Sequence, residues 1–142
     1  MTPDRSDHDM YMELSLYTLQ RRDPTFMHQH IVDAYAAQHP DRSMKPIRIA
    51  FSLVGLYLAV EKGLTGKEVQ NIHMDMGKEK REWPTFEVPE YLSDISVADV
   101  LHAEPGDERD GMIRAWAASV WNAWSEDPDN RRKAMELVEP FA

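Results

Sequence analysis

Three of the six histidines, one aspartate and two glutamines crowd into residues 26–39, FMHQHIVDAYAAQH. His30 and Asp33 are three residues apart, which makes them neighbours on one turn if the stretch is helical. A neutral imidazole beside a carboxylate is the start of a divalent-metal site. His73 from a later element would complete a set of two histidines and one carboxylate with open positions, suited to zinc or iron. Alternatively Asp33 orients His30, which then works as a general base. In a third reading both residues only satisfy polar groups between helices. All three readings stay open on the sequence.

Helical geometry excludes one combination. His28 and His39 lie on the same side but eleven residues apart, about 16 Å along an axis that rises about 1.5 Å per residue. One ion held at about 2 Å by each imidazole cannot bridge them. On the same helix Met27, Ile31, Ala34, Tyr35 and Gln38 form the expected inner face. His28, Val32 and His39 flank it on one side, and His30, Asp33 and Ala37 on the other. Gln38 is conspicuous there, because a buried amide must find partners or costs a few kcal/mol. It is expected either to clamp a backbone turn or to point into a pocket. His73 sits among Val69, Ile72 and Met76 and is a core residue with one hydrogen bond unless it faces the second helix.

The elements that must position these residues read as helices. The first is expected over 9–22, with residues 1–8 frayed. Pro24 is placed to open the second, which Pro40 stops. The third, from Pro46 to Lys62, is apolar nearly all round between Ile49 and Val60 and ends at Gly63, the pattern of a central helix. Thr65 and Glu68 form a capping box for the fourth. Between Lys78 and Asp94, Pro84 and Pro89 space out Trp83, Phe86, Val88 and Tyr91, which predicts an extended crossover with its aromatics pinned to the bundle. Ser96 and Asp99 cap a short helix. The helix from Asp107 to about Trp124 carries Trp116, Val120, Trp121 and Trp124, a core face that would serve as a homodimer surface if exposed. Asp127-Pro128 precedes a short last helix. The expectation is an all-α single domain over 9–142, five to six helices around the third.

The chain has 142 residues, 42% of them hydrophobic, and a formal net charge of −9. That field disfavours nucleic acid, whose binding depends on neutralising phosphates. With no cysteine, disulfides and thiolate chemistry are excluded. The N-terminal residues lack the apolar core of a signal peptide. The longest apolar run is shorter than a membrane span. A cytoplasmic protein without nucleic-acid or membrane partners is expected. No phosphate loop, nucleophile elbow or H-E-x-x-H motif occurs.

The segments HQHIVDAYAAQH, KPIRIAFSLVGLYLAVEKG, GKEVQNIHM, WPTFEVP, SVADVL and GMIRAWAASVW, in this order, resemble a bacterial family of small proteins classed as a domain of unknown function. The pattern H-Q-x-x-V-D-A-Y-x-x-Q-H falls on His28, Gln29, Val32, Asp33, Ala34, Tyr35, Gln38 and His39. The resemblance implies the same fold and no established reaction. It puts His30 at a variable position and shifts weight to His28, Asp33, Gln38, His39 and His73. The first functional expectation is therefore a pocket lined by His28, Asp33 and His73, with Gln38 and His39 nearby, for a divalent metal or small molecule. The second is a non-enzymatic homodimeric module in which the polar cluster is structural.

Overall fold

A computed structural model describes residues 6–41 and 43–141. Among these residues there are seven helices and no strand: α1 (Asp7–Gln20), α2 (His28–Gln38), α3 (Pro46–Glu61), α4 (Gly66–Met76), α5 (Val97–His102), α6 (Asp107–Ser125) and α7 (Pro128–Val138). The all-α expectation holds. The count exceeds five or six because the short α5 and α7 stand as separate elements. Residues 1–5 of the expected frayed terminus lie outside the described residues. Ser6 accepts the Asp9 backbone N–H and starts α1 at Asp7, two residues before the expected start.

The all-round apolar sequence of α3 has the predicted consequence. Residues 52–58 are all buried, and α3 packs against α2, α4, α6 and α7. α2 and α6 also pack on each other, so α2, α3 and α6 form a triangular core. Trp116, Trp121 and Trp124 of α6 lie inside it, at most 1% exposed. Each indole N–H has an acceptor: Gln38 Oε1 at 2.8 Å, Glu61 Oε2 at 2.8 Å and the Ala37 carbonyl at 3.0 Å. A buried indole stays compatible with a core only when its polar edge is matched in this way. The tryptophan face is therefore core, and it is not available as a dimer surface.

Pro24 does not open α2. Asp23 instead caps a turn, accepting the backbone N–H groups of Thr25 and Met27 and the Thr25 hydroxyl. Phe26 takes a left-handed φ of 55°, and α2 begins only at His28. The turn is held from the other side by α4. Lys67 N–H donates to the Thr25 carbonyl at 2.8 Å, and a Cβ on Gly66 would lie 1.8 Å from the Phe26 carbonyl oxygen. Only glycine lets the α4 terminus come this close. The predicted capping box of Thr65 and Glu68 is present.

The crossover between α4 and α5 is extended as expected, and part of it is pinned. Trp83 packs edge-on against Phe51, and Glu87 exchanges two hydrogen bonds with the buried Asn130 of α7. Val88 and Tyr91, expected to be held as well, are 48% and 65% exposed.

Candidate functional site

α2 places its polar residues in different directions, because it is covered by α3 on one side, α6 on another and α1 on a third. The buried positions include Asp33 and Ala37, which the sequence placed on a flank, while Tyr35 is only half-buried. Asp33 points at α3. Its Oδ1 accepts from Gln29 Nε2 at 3.2 Å, one turn earlier on α2. The same amide nitrogen stands 3.4 Å from His73 Nδ1 on α4. His73 Nε2 in turn lies 2.8 Å from the Phe51 carbonyl of α3. A carbonyl can only accept, so Nε2 carries the proton and Nδ1 offers its lone pair to Gln29. The result is a directional chain in which Gln29 spends both amide protons, one on Asp33 and one on His73.

The electrostatics are costly. Asp33 is 3% exposed and its Oδ2 has no hydrogen-bond partner among the described residues. Burial pushes its carboxyl well above the usual carboxylate range, opposed by the Gln29 hydrogen bond. Burial also holds His73 below the usual histidine range, with the Phe51 carbonyl opposing. Both ionisable groups are thus biased towards their neutral forms. They line a cavity of about 320 Å³ between α1, α2, α3 and α4. Its walls include Tyr11 and Tyr35, whose rings stack 4.1 Å apart, together with Phe51 and the exposed Arg48.

The other sequence-predicted residues lie elsewhere. His28 turns to α1, its Nδ1 2.9 Å from Thr18 Oγ1, and burial holds it below the usual range. His30 lines a separate cavity with Arg114 of α6. Gln38 clamps backbone, the first of its two expected uses: Nε2 donates to the Ile95 carbonyl at 2.8 Å while Oε1 accepts from Trp116. His39 packs at a tilt against the Tyr35 ring, with Nδ1 2.9 Å from the Tyr35 carbonyl and Nε2 3.0 Å from Asp7 Oδ2. Asp33 and His73 meet, but only across Gln29, and His28 and His30 are not with them. Among the described residues no group of three or more His, Asp or Glu side chains is placed to hold a metal ion. A helix sends residues 28, 30 and 33 to three different neighbours, which is why the metal set does not assemble.

Gln29 is the member of the site that the sequence reading passed over. Its signal was present, since a glutamine four residues before an aspartate is a helix-surface pair.

These features define a small all-helical protein with a closed polar chain under one cavity. The chain matches the model of a family of unknown function, DUF5946, over residues 4–125, and it belongs to that family. No curated protein and no solved structure matches it. No helix among the described residues is long and apolar enough to cross a membrane.

Proposed function

We propose that this protein binds a small, flat molecule bearing N–H or O–H donors in the cavity above Asp33, Gln29 and His73. The observation that carries this reading is Asp33, which lines that cavity and whose Oδ2 is buried without a partner among the described residues. An orphaned carboxyl oxygen costs a fold roughly 1–3 kcal/mol and more if charged, so a leucine or alanine would serve a purely structural position better. With both Gln29 protons used inside the protein, the floor offers the Gln29 carbonyl as an acceptor and the Asp33 Oδ2, which in the neutral form favoured by burial is a hydroxyl that can both donate and accept. A ligand that exchanges hydrogen bonds with this floor supplies the partner Asp33 lacks. The stacked Tyr11 and Tyr35 and the Phe51 ring suit a planar body, and a volume of about 320 Å³ lies within the range of small-molecule sites, about 300–1,000 Å³.

The test compares the melting temperatures of wild type, Asp33→Asn and His73→Gln at neutral pH without ligand. A ligand site predicts that both variants melt at or above the wild-type temperature, since sites are held at the expense of stability. Falls in both as large as that of Gln38→Leu would make the chain a structural network instead.

A homodimer is the second reading. α1 leaves Met12, Leu16 and Leu19 more than half exposed along one face, the spacing of a helical interface. Sedimentation of wild type against Leu16→Glu tests it: a dimer that the glutamate dissociates supports it, and a wild-type monomer at high concentration excludes it.

A further inference from the structure

A second cavity, of about 400 Å³, opens between α2, the end of α3 with its following loop, and α6. Its space comes from small side chains. Ala59 of α3 and Ala117 and Ala118 of α6 stand where larger residues would close the gap, and Leu64 adds to the apolar lining. His30 and Arg114, with the hydroxyls of Thr25 and Thr65, break this apolar surface.

His30 Nδ1 is buried and without a partner among the described residues. Burial, reinforced by Arg114, holds the ring below the usual histidine range, so it is neutral and carries one proton. A buried N–H with no acceptor costs more than a bare lone pair, which puts the proton on Nε2 and leaves that nitrogen as the donor. Arg114 is exposed and makes no ion pair among the described residues, in a chain where 25 acidic residues outnumber 16 basic ones. An arginine left unmatched beside an apolar cavity in so acidic a protein is placed to receive an anion.

We infer that this cavity is a binding site for a small monocarboxylate with an apolar body, an aliphatic or arylalkyl acid. Its carboxylate pairs with Arg114 and takes the His30 Nε2–H bond, and its hydrocarbon covers the three alanines and Leu64. A single guanidinium with only neutral polar groups beside it matches one negative charge, whereas a phosphate dianion would be left undercompensated against the net charge of −9. A cation meets Arg114. A neutral analogue leaves the guanidinium without its partner.

The experiment titrates hexanoate and 3-phenylpropionate, and their amides, into the full chain. It follows the His30 ring signals by NMR and takes affinities by calorimetry. The acids should shift His30 saturably and bind about tenfold more tightly than the amides, the margin of one charge-assisted hydrogen bond. Arg114→Gln, an exposed position, should bring acid affinity down to the amide level, and Ala118→Phe should abolish it by filling the space. Ile47 lines the Asp33 cavity, so Ile47→Trp, which obstructs that cavity, should leave acid binding unchanged, and failure here is separable from failure of the Asp33 site. Amides that bind as well as acids, an Arg114→Gln variant of wild-type affinity, or no saturable shift with either acid would each overturn the assignment. If Ala118→Phe does not fold, Arg114→Gln alone decides.

Discussion

The Asp33 carboxyl lies directly over Gly55 of α3, so close that a Cβ on Gly55 would sit 1.9 Å from Oδ2. The two residues are a point of close approach between α2 and α3, and the absence of a side chain on one makes room for the acid of the other. Gly55→Ala should therefore destabilise the fold by about 3 kcal/mol or more, above the ordinary cost of overpacking. Asp33→Ala in the same chain should recover at least about 1 kcal/mol of that loss. A double-mutant cycle by denaturant unfolding measures both, and additive effects would mean that the contact is not what constrains Gly55.

The stability of the wild type relative to Asp33→Asn should depend on pH in a stated direction. Asp33 is raised above the ordinary 3.8 by burial, so its contribution is fully present below that value and is lost as pH rises through the folded-state value. Wild type should thus fall progressively behind the asparagine variant from about pH 4 upward, by about 1.4 kcal/mol for every tenfold displacement of the acidity constant. Unfolding curves across the acid-to-neutral range provide the check.

His73 should give the opposite slope. Its ring is held below the ordinary histidine value of 6.5 by burial, so its contribution is present above that pH and is lost as pH falls through the lower, folded-state value. His73→Gln should flatten the acid side of the stability profile while leaving the alkaline side alone. A profile unchanged on the acid side would show that the ring takes up a proton without disturbing its bond to Phe51.

Gln38→Leu should cost about 1–3 kcal/mol, because it orphans the buried Trp116 indole N–H, while the Ile95 carbonyl keeps the Ser93 hydroxyl as a donor. Chemical unfolding of the variant reads this directly, and a loss below about 1 kcal/mol would mean that water replaces the amide.

Much of this arrangement was legible in the residues. The central position of α3 followed from its apolar circumference, and the caps at Thr65 and Ser96 followed from their i, i+3 partners. The tension at Gln38 was visible as a polar residue on an apolar face, and its partners were not, since they come from a loop and from α6. Pro24 misled because Asp23 takes over the turn with its own side chain, a local competition that proline placement alone does not reveal. For the site, the sequence supplied Asp33 and His73 but not the rotation of α4 about α2 that inserts Gln29 between them. Direction round a helix was computable; which neighbour lies in each direction was not. That is why His28 and His30 stood as candidates beside Asp33 and turned out to face α1 and α6.

The most direct measurement of ligand binding at Asp33 is a fragment screen by protein-observed NMR, with signals of Gln29, Asp33, Phe51 and His73 followed in wild type and in Ile47→Trp. Binding at this cavity predicts that flat, donor-bearing fragments shift those four residues together in wild type and not in the obstructed variant. No donor-bearing fragment shifting them, or equal shifts in both proteins, would contradict it.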